Sequence, residues 1–394
     1  MLNFSFKRAT EYVFGKNAED KAGEMLKKYG ATKVMVHYGQ GSVVKSGLLG
    51  RVEDSIKVAG IPFVSLGGAQ PNPVDTLVYE GIDLCRKEGV DFILAVGGGS
   101  AIDSAKAIAA GVLYDGDFWD FYDGKAEMTK ALPVATVLTI PAAGSEGSPS
   151  TVINKVSGDG PIEKRGSGGD CVVPAFSLLN PELSYTLPPY QTACGVTDIM
   201  AHVFERYFTN TPDVEITDRV CEAILLSVVK HAPTAVAEPT NYAARSNIYW
   251  AGTIAHDDSA GLGREEDWAT HLIEHELSAL YGVAHGAGLA VMFPAWMEYV
   301  CEQDLDRFVR FAKNVWNIDC EGDKKATALE AVTATKDFFK SIGMPTNFAE
   351  LGAKKEDIGK LVEVLFMGSN GKPIGNFVKL SQEDVRKIYE IAAK

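Results

Sequence analysis

The chain changes rhythm about half way along. Up to about residue 190, short apolar runs rich in Val and Ile end in glycine or proline: KVMVHYG (33–39), PFVSLGG (62–68), FILAVGGG (92–99) and PVATVLTIP (133–141). Between them lie stretches with helical spacing of apolar residues, such as VDTLVYEGIDLCRKEG (74–89). The runs predict buried strands. Strands alternating with helices predict right-handed βαβ units and a parallel sheet covered on both faces. Beyond Pro188-Pro189 only the helical period remains, as in DIMAHVFERYF (198–208), DRVCEAILLSVVKHA (218–232) and ALEAVTATKDFFKSIG (328–343). The pattern predicts an α/β domain over 1–188 and an all-helical domain over 189–394. Ligands of such proteins favour the carboxyl ends of the strands and the crevice between domains, so chemistry is expected there.

Two of the strand-end loops are built from glycine. FILAVGGGSAIDSAKAIAAG passes from a strand through Gly97-Gly98-Gly99-Ser100 into a helix of small residues, and YGQGSVVK (38–45) also follows a strand and opens a helix. Glycine lets the backbone approach a ligand, and a fresh helix N-terminus offers unpaired N–H groups to a phosphate. The first loop is not a Walker A loop, since no Lys-Ser/Thr follows the glycines, nor is it the complete G-x-G-x-x-G fingerprint. Alone it is equally well a tight strand-to-helix turn. Two such loops in one α/β half point to a dinucleotide pyrophosphate site and a Rossmann-like domain.

The loop after the first apolar run also bears on which dinucleotide binds. Folds that prefer NAD place an acid where it accepts hydrogen bonds from the adenosine ribose hydroxyls. Here Gly39-Gln40-Gly41-Ser42 closes the strand, the next acid is Glu53, and Lys45 lies one turn into the following helix. Glycine leaves room, Ser42 can donate a hydrogen bond and Lys45 suits a 2′-phosphate, so NADP(H) is the expected cofactor.

Three of the seven histidines fall within HLIEHELSALYGVAHG (271–286). The metalloprotease pattern His-Glu-x-x-His is absent, because His275-Glu276 is followed by Leu277, Ser278 and Ala279. His271 and His275 are one helical turn apart, and His285 comes after the helix-breaking Gly282. Asp198 and His202, in GVTDIMAHVFE, have the same i,i+4 spacing and share a helical face. Three histidines and a carboxylate suit Fe²⁺ or Zn²⁺ and are too rich in nitrogen for Mg²⁺ or Ca²⁺. His37, His231 and His256 have no such company and read as structural. Cys194, one turn before Asp198, reads as a buried small hydrophobe, with Zn²⁺ ligation as the alternative.

Composition narrows the class. The 394 residues are 46% hydrophobic, enough for a large core. A net charge of −14 argues against nucleic acid or an anionic membrane surface as partner. No apolar stretch with a cleavage site opens the chain, no later run is expected to cross a bilayer, and there are no repeats. Six scattered cysteines without C-x-x-C read as reduced thiols of a cytoplasmic protein.

Several motifs, taken in order and nearly end to end, resemble one family. They are PNP (71–73), GGGSAIDSAK (97–106), TIPAAGSE (139–146), YTLPPYQTACGVTDIMAHVFE (185–205), DWATHLIEHELSA (267–279) and YGVAHGAGLA (281–290). The chain resembles the iron-containing alcohol dehydrogenases, and among them the butanol dehydrogenase branch that reduces aldehydes. The resemblance implies a dehydroquinate-synthase-like pair of domains, usually assembled as dimers, that interconverts primary alcohols and aldehydes. It implies metal ligands at Asp198, His202, His271 and His285 and leaves His275 beside the site, where it is expected to relay a proton, with a helix-packing role as the alternative. Implied cofactor contacts are Gly39, Ser42, Asn72, Gly98, Gly99, Ser100, Asp103, Thr139 and Ser148, with Lys164, in the loop GDGPIEKRG, near the nicotinamide ribose.

Asn180 departs from the family, whose members commonly carry Asp-Pro there; the change is expected to touch a turn and not the chemistry. A dehydroquinate-synthase-type lyase is the competing expectation, since it shares the fold, a dinucleotide and a metal. It would need a basic cluster for an anionic phosphorylated substrate. The segments GVTDIMAHVFE and ATHLIEHELSALYGVAHGAGLA contain neither lysine nor arginine.

Overall fold

The four apolar runs become adjacent strands. In the computed structural model of the chain, which describes residues 1–158, 162–369 and 371–394, six parallel strands form one sheet in the order β1-β8-β5-β4-β2-β3. They are β1 (Glu11–Phe14), β2 (Val34–Gly39), β3 (Phe63–Ala69), β4 (Phe92–Gly97), β5 (Val134–Leu138) and β8 (Phe176–Leu179). A separate antiparallel ribbon pairs β6 (Ser150–Lys155) with β7 (Glu163–Gly168). Every residue of β4 is buried, as a strand covered on both faces requires. His37, wholly buried on β2, donates from Nδ1 to the Leu66 carbonyl at 3.0 Å, and burial pushes its pKa down to about 4. It is a neutral core residue.

The chain runs outward from β2 to β3, then returns to lay β4 on the other side of β2 and continues to β5 and β8. The reversal falls between β2 and β4, where a doubly wound sheet opens a crevice at its strand ends. The two glycine loops follow those two strands. The helices of this unit are α1 (Ala22–Lys28), α2 (Ser42–Lys45), α3 (Leu48–Val58), α4 (Asp75–Glu88) and α5 (Gly99–Val112). Buried Lys106 on α5 donates to the carbonyls of Ser145, Ser148 and Ser150 at 2.7, 2.8 and 2.9 Å, which fixes the segment entering β6. Asn180 caps a short turn, accepting from Glu182 N at 3.1 Å, and its amide also donates to buried Glu19 at 2.9 Å, a bond to a distant part of the chain that an Asp carboxylate could not donate.

The chain divides into two compact units, Lys7–Thr186 and Leu187–Lys394, the latter together with Met1–Phe6. The first six residues thus go with the helices: the Met1 ammonium donates to the Pro212 carbonyl and Leu2 N to the Gly263 carbonyl, both at 2.8 Å. The helical unit contains α6 (Pro189–Tyr207), α7 (Glu215–Ala237), α8 (Tyr242–His256), α9 (Ala269–Tyr281), α10 (His285–Val300), α11 (Leu305–Trp316), α12 (Lys324–Ser341), α13 (Phe348–Leu351), α14 (Ile358–Gly368) and α15 (Gln382–Ala392). Pro189 starts α6, where a missing N–H costs nothing. Most of α6 and α10 is buried, and Phe204 of α6 meets Phe293 and Phe311 at ring distances of 5.3 and 5.7 Å.

One helix corrects an expectation. By length and composition α7 could cross a bilayer; the charges at Glu215, Asp218, Arg219 and Glu222 had hidden the length of its apolar part. Its Cys221, Ile224, Leu225, Val228 and Ala232 are buried in the helical core. Buried Glu222 accepts from Tyr207, Arg219, Arg310 and Asn314. The helix packs by one face, with Ile216 and Leu226 exposed on the other.

Candidate functional site

Asp198 and His202 stand one turn apart on α6, only 5% and 4% exposed. A left-handed C-cap at Gly282 (φ 66°) ends α9, and α10 opens three residues later with His285. His271 of α9 and His285 of α10 place Nε2 at 3.9 and 3.7 Å from Asp198 Oδ1. The ligand atoms of Asp198, His202 and His271 all lie within 4.8 Å of one another. Three of the implied ligands form one close group, and His285 borders it through Asp198.

The remaining atoms of these side chains suit a cation. His271 Nδ1 donates to Glu205 Oε1 at 2.7 Å, His285 Nδ1 donates to Glu274 Oε2, and His202 Nδ1 donates to the Asp198 carbonyl at 2.8 Å. Each acceptor puts the proton on Nδ1 and leaves the Nε2 lone pair for a metal. Asp198 Oδ1 and His271 Nε2 are buried without a hydrogen-bond partner, although Oδ1 is 3.3 Å from His202 Nδ1. Leaving such a group unsatisfied costs about 1–3 kcal/mol, and more for a charge. Burial pushes the Asp198 carboxyl up, but the imidazoles, His202 foremost, outweigh it and hold the group well below the usual carboxylate range. Burial also holds His271 well below its ordinary value. An ionised carboxylate and a neutral imidazole are the forms that bind metal. One carboxylate oxygen and three imidazole nitrogens fit Fe²⁺ or Zn²⁺.

Two glutamates carry the support, and both were missed in the sequence. Glu205 also accepts from the backbone N–H of His271 at 3.0 Å and of Trp268 at 2.7 Å; burial pushes its carboxyl up, and these donors, with the neighbouring Arg206, pull toward the ionised form that accepts from His271 Nδ1. Glu274, His275 and His285 form a second close group of ligand atoms. Glu274 is already committed there, its Oε1 to Ser278 Oγ and its Oε2 to His285. The group therefore reads as the outer support of the first and not as a second ion site. His275 is buried beside it, its ring 5.5 Å from that of His285. A signal for both glutamates existed: Glu205 is two turns beyond Asp198, and Glu274 is three residues beyond His271, each on the ligand face.

Glu274 reaches His285 because α10 carries glycine at 288. A Cβ there would stand 2.4 Å from Glu274 Oε1 and 2.7 Å from its Cγ. Gly288→Ala is expected to displace the carboxylate and cost about 1–3 kcal/mol. Thermal denaturation and metal analysis check this, and an unchanged melting temperature with unchanged metal content would contradict it. Cys194 is outside the ligand group, and burial pushes its thiol up to about 12. His256 had read as a purely structural residue; its ring lies 4.3 Å from that of His202, against the site.

In the α/β unit, implied cofactor contacts follow four adjacent strands. Thr139 comes after β5, Gly97-Gly98-Gly99-Ser100 close β4 and open α5, Gly39 ends β2, and Asn72 follows β3 with a left-handed φ of 56°. Thr139 N donates to the Gly97 carbonyl at 2.9 Å, which ties two of these loops together. No side chain caps α5, so its first amides are left for an anion. Ser42 opens α2 and Lys45 is exposed in its last turn. Three implied contacts have other settings. Asp103 accepts from Ser145 Oγ at 2.6 Å and from Val152 N at 3.0 Å, and Ser148 is buried under Lys106. Lys164, expected in a loop, is on β7 opposite Asn154, because the chain pairs there as a ribbon.

Known proteins resemble the chain over nearly its whole length. Residues 9–181 match the model for iron-containing alcohol dehydrogenases, and residues 192–393 match that for the C-terminal part of the Fe-containing alcohol dehydrogenase family. NADH-dependent butanol dehydrogenase A of Clostridium acetobutylicum is 41% identical over 391 residues, which cover 99% of each chain. NADPH-dependent aldehyde reductase YqhD of Escherichia coli is 37% identical over 396 residues, covering 100% of each. The crystal structure of NADH-dependent butanol dehydrogenase A from Thermotoga maritima has a TM-score of 0.96 at 40% identity, covering 100% of this chain and 99% of that one. The matches leave out only the chain ends and the junction between the two units, and the chain belongs to the iron-containing alcohol dehydrogenase family.

Proposed function

We propose that the chain interconverts short primary aldehydes and alcohols with NADP(H), using Fe²⁺ or Zn²⁺ held by Asp198, His202, His271 and His285. The observation that carries this reading is the close group of Asp198, His202 and His271 with His285 3.7 Å from Asp198, every imidazole being tied at Nδ1. When bound, the cation supplies Lewis acidity toward a carbonyl oxygen and the nicotinamide supplies the hydride. Glu205 and Glu274 keep His271 and His285 in one tautomer and orientation. Gly97, Gly98, Gly99 and Ser100 present backbone N–H groups to the dinucleotide phosphates. Gly39, Ser42 and Lys45 favour a 2′-phosphate, although relatives of this chain are named for NADH and for NADPH alike. Asn72, Asp103, Thr139, Ser148 and Lys164 remain further proposed contacts. Membership of a dehydrogenase family favours this reading over the lyase.

His275 is proposed to pass the proton that aldehyde reduction consumes. His275→Ala is expected to keep its metal and lose about 10²-fold in turnover, most at high pH where water is a poor donor. Metal analysis beside a pH–rate profile checks this; metal loss in the variant would make His275 a ligand instead. A cytoplasmic homodimer completes the proposal, and light scattering tests the assembly. The function is tested by NADPH oxidation across a series of short aliphatic aldehydes. Cofactor binding without aldehyde-dependent oxidation would contradict it.

A further inference from the structure

We propose that His256 is a positioning residue for the metal ligand His202. The inference rests on the metal-site reading above. His271 and His285 each hand Nδ1 to a buried carboxylate, whereas His202 hands its own to the Asp198 carbonyl, four residues back on the same helix. That carbonyl already accepts the helical N–H of residue 202. Glu205 on α6 holds His271 on α9, and Glu274 on α9 holds His285 on α10, each from a neighbouring helix, whereas the Asp198 carbonyl belongs to the helix that carries His202. His202 is therefore the ligand least firmly held by hydrogen bonding.

Ring packing makes up the difference. The His256 ring, 7% exposed at the end of α8, lies 4.3 Å from the His202 ring at 36°. Trp268 meets His202 edge-on at 5.7 Å and His256 at 5.6 Å, closing a second side. Both walls are themselves fixed. Arg245 of α8 donates to Thr192 of α6 at 2.9 Å, which locks the two helices together. Trp268 stands in a left-handed conformation (φ 65°) that a bulky residue adopts only when its surroundings impose it. Here they do so through Glu205 on its N–H, Glu266 on its indole N–H at 2.7 Å, and the Arg206 guanidinium 5.0 Å from its ring. His202 is thus packed between the two rings, which restricts how far its Nε2 can turn.

The test compares Zn²⁺ affinity, by competition with a chromophoric chelator, in the wild-type protein and three variants. His256→Leu keeps volume but loses the aromatic face, and is expected to bind Zn²⁺ about tenfold more weakly. His256→Phe keeps the face and is expected to stay within about threefold of wild type. The visible spectrum of the Co²⁺-loaded protein should change in the leucine variant and not in the phenylalanine one. A merely structural role would instead lower the melting temperature of the metal-free protein and leave affinity and spectrum alone. His202→Ala serves as the control. If it binds Zn²⁺ as well as wild type, the metal-site reading itself fails. If it loses Zn²⁺ while both His256 variants bind like wild type, or both weaken equally, only the positioning role is overturned. Should the leucine variant not fold, a tenfold loss in His256→Phe still overturns it.

Discussion

Replacing His271 with alanine is expected to release the metal and reduce turnover by on the order of 10³-fold, because a cation acting as a Lewis acid supplies several kcal/mol to the barrier. The substitution removes the nitrogen that lies buried without a partner 3.9 Å from Asp198 Oδ1. It does so without orphaning Glu205, which keeps the backbone N–H of residue 271 at 3.0 Å and that of Trp268 at 2.7 Å. The start of α9 should therefore survive, and the loss should be chemical and not one of folding. Dinucleotide binding should persist, since Gly39, Gly97, Gly98, Gly99 and Thr139 all belong to the other unit. Metal analysis, a dinucleotide fluorescence titration and kcat on one preparation separate these effects. Full activity in a metal-free His271→Ala protein would sink the ligand assignment.

Gly39→Asp is expected to lower kcat/KM for NADPH by about tenfold or more, since one repelled charged contact is worth on the order of 1.4 kcal/mol or above. The variant is a clean one. A Cβ at residue 39 would meet only the Ala69 carbonyl oxygen, at an ordinary 3.5 Å, and the backbone there is not left-handed. The new carboxylate would stand at the end of β2, at the reversal of the sheet, where it accepts hydrogen bonds from ribose hydroxyls and repels a 2′-phosphate. The nearest acid that follows in the native chain, Glu53, is held by Ser65 at 2.8 Å. Use of NADH should be unchanged or improved. The ratio of kcat/KM for the two cofactors, measured with one aldehyde, decides the matter. A wild-type ratio favouring NADH would show that the glycine loop does not select the phosphate.

The strands legible in the sequence are those with an apolar run long enough to stand out from its surroundings. β4 announces itself as an unbroken apolar run because both its faces are covered, and β2 does so nearly as well, with only His37 interrupting it. β1 and β8 do not: each is four residues long, and β1 exists only through its register with β8, Glu11 opposite Phe176, far along the chain. The β6–β7 ribbon was also hidden, because its strands are polar and owe their place to Asp75, Asp103 and Lys106.

The site divides in the same way. Asp198, His202, His271 and His285 were legible because helical spacing and local motifs bring them into view. Glu205 and Glu274 carried a periodic signal, but nothing local says that a glutamate on an apolar face is buried. His256 carried none, since its contact with His202 depends on how α8 packs along α6.

The account depends most on the metal. Its most direct test is NADPH oxidation by a short aldehyde, measured on the native protein, after chelation to verified metal-free protein, and after adding back Fe²⁺ or Zn²⁺. The account predicts activity that disappears with the metal and returns with it. Aldehyde-dependent oxidation undiminished in the metal-free protein would contradict it.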